Sequence, residues 1–399
     1  MKKLIILLSL IIGSINGYGQ PLVYFNFVTH NEETSQWNNV NYYSINREKL
    51  ISLANYFQSN GISWNMQSDW VYLTNVLNED SSLMASTNNK NILRWMFEDK
   101  GVEMDPHGHE SQYIYPDLVK LMDSIGLPES KLMGGTLYNK MNGINIWTNL
   151  INGQYGVVFP NYFWQPDYMM GGGTPGHVND IKYYGFWNPK DTANYLTHDS
   201  TSHLRHIGVG CEIKIKETTS VAEIVDALKD VVQKVQSGQY PSNGFYLQSI
   251  FFEQGDLNNA LFYNKVIEVA DSVNAIAVSG YAQWKTLKQA YYLWETVNNA
   301  QMFQQECEEF ITDIPILNEE NTFILYPNPF SNSTTLQITN KVLTNVNLKI
   351  YDLFGREVFN KEIKNQKIEI LREGLAKGIY FYLVKDDQKI LSKGELIIN

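Results

Sequence analysis

The hydrophobic pattern of this chain changes character twice. Between residues 20 and 305, short apolar runs suited to strands (22–28, 62–66, 101–105, 131–136, 155–160, 207–215, 244–252 and 275–281) alternate with longer stretches. In those stretches (46–59, 89–100, 114–125, 220–237 and 257–273) apolar side chains return every three or four residues, the period of a helix with one buried face. Strand followed by helix, repeated, is how a chain covers both faces of a parallel sheet. At this length the pattern predicts a TIM-like (β/α) barrel. From residue 323 onward apolar and polar positions alternate with a period of two, as in VNLKIYD and GIYFYLV, interrupted by the turn formers Pro327, Asn328, Pro329, Gly355 and Gly378. That pattern predicts a small all-β, immunoglobulin-like sandwich. The expected fold class is therefore α/β, a barrel followed by a sandwich.

The first 19 residues follow neither pattern. Lys2 and Lys3 precede an apolar run over 4–12 and the small residues Gly17 and Gly19, which reads as a secretory signal peptide cut before Gln20. The run is too short for a hydrocarbon core that needs about 20 residues. No longer one follows, so the mature chain is expected to have no transmembrane segment. Residues 306–322 carry six acidic side chains and no basic one, the composition of an exposed linker. The expected organisation is signal peptide 1–19, cargo domain 20–305, linker 306–322 and C-terminal domain 323–399.

Composition narrows the function. A chain of 399 residues with 44% hydrophobic content can bury more than one core. A formal net charge of −11 without a cluster of Lys and Arg argues against a nucleic-acid partner. Cys211 and Cys307 travel to an oxidising compartment, and spacing leaves open whether they pair. All nine Trp and all seven His fall within the cargo domain, which directs attention to its strand ends.

The third predicted strand runs into GVEMDPHGHESQ. Alternation puts Glu103, Asp105, His107 and His109 on one face. A carboxylate with two imidazoles at the carboxyl end of a strand suits Zn²⁺ or a similar divalent ion, so Asp105, His107 and His109 are candidate metal ligands. Neighbouring strand ends offer Glu32 or Glu33, Asp69 and Glu253 as further ligands or as general acid and base, and Glu33, Asp69 and Glu253 are the candidate catalytic carboxylates. Trp70, Trp164, Trp187 and His177 lie in aromatic stretches that also hold Asn, Asp and Gln, a mixture suited to stacking on sugar rings, and Gly171 to Gly173 would let one stretch bend as a lid. His198, His203 and His206 are an alternative metal set.

Two resemblances add to this reading. The Tyr-Pro-Asn-Pro-Phe opening at 326–330, YDLFGREV at 351–358 and GIYFY at 378–382 closely resemble the type A C-terminal sorting domain of the type IX secretion system. That implies export through the type IX machinery by way of residues 323–399, and a secreted or outer-surface location. The segment VEMDPHGHESQYIYPDL, with its acid after strand one, resembles the glycoside hydrolase/deacetylase barrel superfamily. That likeness implies a metal or substrate ligand at His107 and a hydrolase acting on carbohydrate. Ser111 stands where the family places its second His, and no His follows His206. A metal-free glycosidase using Glu33 and Glu253, or a non-catalytic glycan-binding surface protein, are the alternatives.

Overall fold

A computed structural model describes residues 22–32, 34–109, 111–135, 146–170, 182–308, 322–339, 346–352, 356–363, 365–385 and 390–399. The chain divides into two compact units, Met1–Phe310 and Ile311–Asn399. The first unit is built on strands β1 (Val23–His30), β2 (Trp64–Ser68), β3 (Glu103–Gly108), β4 (Leu132–Gly135), β5 (Tyr168–Met170), β6 (Lys182–Trp187), β7 (Arg205–Cys211), β8 (Ile213–Lys214), β9 (Tyr246–Glu253), β10 (Ala282–Trp284) and β11 (Gln305–Glu306). They form one mixed sheet in the order β8, β9, β1, β2, β3, β4, β5, β7, β6, β11, with β10 also paired to β1.

Strand β1 is central because almost all of it is buried. One face, with Phe25 and Phe27, packs with Trp64, Met66 and Met104 against helices α1 (Val40–Ser59), α2 (Trp70–Leu77), α3 (Ile92–Lys100), α4 (Tyr115–Ser124), α5 (Val221–Gln236) and α6 (Ala260–Ile276). The other face, with Val28, joins Leu132, Met170, Phe186, Ile207, Val209 and Leu247 around Leu287, Ala290 and Trp294 of α7 (Leu287–Thr296). Strands from both flanks of the sheet meet in this second cluster, so the sheet is curled. Each large apolar side chain so buried contributes roughly 1.5–3 kcal/mol. Helix starts follow local chemistry: Asn39, Asp69 and Asn91 cap α1, α2 and α3, and Ser220 with Glu223 forms a capping box on α5.

The expected TIM-like barrel is overturned by this topology. From β8 to β7 the neighbouring strands are parallel, but β6 runs antiparallel to β7 and β11 antiparallel to β6. The physical reason is the long stretch after β4. Residues 154–155 and 163–164 pair only with each other, apart from the main sheet. Between β6 and β7 the described chain is turns and bends with no crossover helix, so the two strands return antiparallel. The apolar run at 275–281 is helical up to Tyr281, and the strand follows at Ala282–Trp284.

Cys211 and Cys307 form a disulfide with Cα atoms 5.7 Å apart. It fastens the end of β7 to the residue after β11, beside the backbone bond from Cys307 N to Lys182 O (2.7 Å). The second unit is all-β. Strands β12 (Thr322–Tyr326), β13 (Ser333–Thr339) and β16 (Lys367–Leu371) make one antiparallel sheet. Strands β14 (Val346–Tyr351), β15 (Glu357–Ile363), β17 (Gly378–Lys385) and β18 (Ile390–Ile398) make the other. Leu336, Leu348, Ile350, Ile370, Val384 and Leu396 fill its core. Among the described residues, no helix is long and apolar enough to cross a membrane.

The disulfide closes a sequence separation of 96 residues. Replacing both cysteines by Ser should lower unfolding stability by about 4–5 kcal/mol on the loop-entropy estimate. Urea unfolding of oxidised wild type and the double variant measures the difference.

Candidate functional site

The carboxyl ends of β8, β9, β1, β2 and β3 lie side by side, and each delivers one or two polar side chains. His30 ends β1, and Glu32 follows it. His107 and His109 come from the end of β3, two strands away, and the rings of His30 and His107 stack with centroids 4.7 Å apart and planes 7° apart. Between them Gln67 of β2 places Oε1 3.4 Å from His107 Nδ1. An amide oxygen only accepts, so this contact favours the Nδ1–H tautomer and directs His107 Nε2 towards Glu32 Oε1, 3.8 Å away.

Space for Gln67 depends on a neighbouring strand. A Cβ on Gly134 of β4 would fall 1.9 Å from Gln67 Oε1, so only glycine leaves this amide in place. The Tyr115 hydroxyl sits 2.6 Å from Gly134 O and 2.9 Å from Gly108 O, holding the ends of β3 and β4 together.

Glu32 is the hub. Its Oε1 lies 3.2 Å from His30 Nδ1, and its Oε2 is 2.8 Å from His109 Nε2. The hydrogen bond with His109, then the close approach of His30, hold its carboxyl far below the ordinary range against the opposing effect of burial. Glu253, at the end of β9, places Oε2 3.3 Å from the same His30 nitrogen and Oε1 2.5 Å from Lys214 Nζ of β8. Burial works against the Lys214 charge, but the bond to Glu253 together with the negative charges of Glu253, Glu212 and Glu32 outweighs it and raises the ammonium pKa. Among the described residues, His30, Glu32 and His107 form the one group whose potential ligand atoms all lie within 4.8 Å of one another.

A buried amide network supports these ends. Asn31 Oδ1 accepts from Asp69 N (2.8 Å), and Asn31 Nδ2 donates to Gln254 Oε1 (2.9 Å). Gln254 Nε2 donates in turn to Asn46 Oδ1 of α1 at 2.8 Å. The turns after β1, β2 and β9 are thereby tied to one another beneath the charged groups. Asn31, Gln67, Gln254 and Lys214 had no motif to mark them in the sequence, only a position at or beside a strand end, and Asn46, inside α1, had no signal at all.

The sequence-derived candidates divide. His107 and His109 stand in the cluster, and Glu253 borders it. Glu32, weighed with Glu33, is its centre, while Glu33 and His177 lie outside the described residues. Asp69 is fully buried and caps α2 through Trp70 N, the work of a helix cap rather than of a base. Asp105 shares the face of His107 but lies deeper, bonded to Asn65 Nδ2 (2.5 Å) and to Ser130 Oγ, and so is not among the convergent ligands. Trp164 and Trp187 are fully buried, donating to Ser130 O and Tyr195 O at 2.8 Å each, and offer no open face to a sugar. Trp70 is half-buried and stacks on Tyr113 with centroids 5.0 Å apart. His198 Nδ1 accepts from Asn188 N (3.1 Å), and buried His206 meets the Tyr195 hydroxyl at 2.6 Å. With His203 they do not form a convergent set among the described residues.

Comparison with known proteins decides the second unit. Residues 324–399 match the family described as the secretion system C-terminal sorting domain. This stretch is a secretion system C-terminal sorting domain. The sorting domain addresses the chain to the secretion machinery, for release or display at the cell surface. The family match does not extend into the first unit, and no curated protein matches the chain. Among solved structures, the chain is similar to PorZ, an essential bacterial surface component of the type IX secretion system of Porphyromonas gingivalis. The identity is 20% and the TM-score 0.17, over 19% of this chain and 11% of that one. Dimeric latent PorU from Porphyromonas gingivalis gives 23% identity and a TM-score of 0.16 over 25% and 10%. Domains 3 and 4 of rat CD4 give 10% identity and 0.17 over 20% and 41%. The chain thus spans less than half the length of each of these.

Beneath His107, Asn65 Nδ2 also reaches Glu103 Oε1 (3.1 Å), joining Glu103 to Asp105. Burial, then the charge of Asp105, push the Glu103 carboxyl well above its ordinary 4.5. Burial raises Asp105 as well. A proton held more tightly in the folded state stabilises fully below the unfolded carboxyl pKa, and that stability is lost as pH rises. Glu103→Gln should therefore raise the Tm at neutral pH and raise it less near pH 4, as thermal melts across that range would show.

Proposed function

We propose that the first unit of this exported protein is a metal-assisted hydrolase acting on carbohydrate, or on an ester or amide carried by carbohydrate. The observation that carries the reading is the convergence of His30, Glu32 and His107 at the carboxyl ends of adjacent parallel strands. Two imidazoles and one carboxylate suit Zn²⁺ or a similar divalent ion and leave a coordination position for water. The donor set fits in charge as well. Glu32 is held ionised, and Gln67 favours the His107 tautomer whose Nε2 faces Glu32. A divalent ion at these residues supplies Lewis acidity towards a carbonyl oxygen and acidifies water to near neutrality.

The remaining residues have separate tasks. His109, through its 2.8 Å bond to Glu32 Oε2, orients the carboxylate. Glu253 is placed to accept a proton beside His30, at 3.3 Å. Trp70 and Tyr113, stacked at the ends of β2 and β3, supply an aromatic wall suited to a sugar ring. Export to the cell exterior, where polysaccharides are met, supports the same substrate class.

Metal analysis of the purified protein tests this directly. Wild type should bind roughly one Zn²⁺ per chain. His30→Ala and His107→Ala should lose it, and Asp105→Asn should keep it. Retention of metal by both His variants would refute the assignment. A panel of acetylated and unmodified glycans then reads the activity. Separately, removing residues 323–399 should leave the protein in the periplasm, which cell fractionation checks.

A further inference from the structure

Two carboxylates flank one nitrogen in this site, and the structure treats them differently. Glu32 Oε1 lies 3.2 Å and Glu253 Oε2 3.3 Å from His30 Nδ1, yet only Glu32 belongs to the convergent trio. Their partners separate them. Glu32 faces the imidazoles of His30, His107 and His109, which keep no fixed charge. Glu253 faces the ammonium of Lys214, which does.

We propose that Lys214 is a positioning residue that sets how tightly the centre holds a divalent cation, by keeping the Glu253 carboxylate out of the ligand set. The proposal rests on the metal reading above and goes beyond it, since no motif or comparison marks Lys214. Strand β8 pairs with β9 so that Lys214 lies opposite Phe251, two residues before Glu253. The side chain then reaches along the strand to Glu253 Oε1 at 2.5 Å. Side-chain exposures of 24% for Lys214 and 27% for Glu253 leave the pair partly shielded from solvent. For Glu253 to become a ligand it must share its charge between a cation and an ammonium. That sharing weakens the new bond, and the ammonium, held on a carboxylate that itself lies 3.3 Å from His30 Nδ1, also repels a dication at the site. Both effects act in one direction. Lys214 lowers cation affinity and reserves Glu253 for a proton acceptor's place beside the site.

Zn²⁺ titration of the full chain against a chromophoric chelator, after metal stripping, tests this. Lys214→Met should bind Zn²⁺ about tenfold more tightly than wild type, because a repelling charge is gone and Glu253 is released. Lys214→Arg should match wild type. In a Glu253→Gln background the gain from Lys214→Met should shrink to about threefold or less, since the released carboxylate is no longer there. Thermal melts verify that each variant is folded, and Lys214→Gln replaces the Met variant if that one is not. The proposal is overturned if the folded Lys214 variant binds Zn²⁺ no more tightly than wild type, or if its full gain survives in the Glu253→Gln background. Those results leave the metal reading standing. Zn²⁺ uptake by neither wild type nor variant overturns both.

Discussion

The first unit depends on β1 being buried on both faces. A strand with water on one side can carry its polar residues outward, but this one is covered by helices on the Phe25 and Phe27 side and by α7 and the curled sheet on the Val28 side. Only its carboxyl end is left for chemistry. His30 is the last residue of the strand, and Glu32 stands two residues beyond it. Because β9, β2 and β3 run parallel to β1, Glu253 and Gln67 pair with His30 itself, and β3, whose Asp105 pairs with Gln67, carries His107 two residues beyond that level at the same end of the sheet. The site follows from strand direction before any side-chain contact is considered.

What the strands bring together then has to be electrostatically tolerable. Glu32 and Glu253 lie on either side of His30, an arrangement that like charge alone would push apart. The structure resolves it by giving each carboxylate its own partner, imidazoles for Glu32 and an ammonium for Glu253. Beneath them neutral amides complete the packing, so the charged layer rests on hydrogen bonds rather than on further buried charge. Glu103, partly buried, and Asp105, buried, are joined through Asn65 away from that layer, and the same constraint pushes both carboxyl pKa values up.

Parts of this were legible along the chain and parts were not. His107 and His109 stood out because alternation along a strand puts i and i+2 on one face, and both reached the cluster. The same rule misled at Asp105. It identifies the face but not the depth, and two residues along a strand is about 6.6 Å, enough to move a carboxylate from the rim into the interior. Trp164 and Trp187 were misjudged as open faces because an aromatic in a long irregular stretch looks alike whether it binds a ligand or packs the stretch down. The strand-and-helix alternation was real through much of the unit. It could not reveal that β6 and β11 run antiparallel, since strand direction is set by the connection and not by the apolar period.

By itself the sequence determined the sorting domain, whose turn residues and period-two strands are local and close together, and it located a histidine-bearing strand end. Only the tertiary structure decided which groups share a point. The His30–Glu32–His107 trio joins residues up to 77 positions apart, the Cys211–Cys307 bridge spans 96, and Lys214 meets Glu253 of the neighbouring strand 39 positions on. Contacts of that kind arise from sheet order and curl, which depend on how apolar faces pack at long range and leave no periodic mark in the chain.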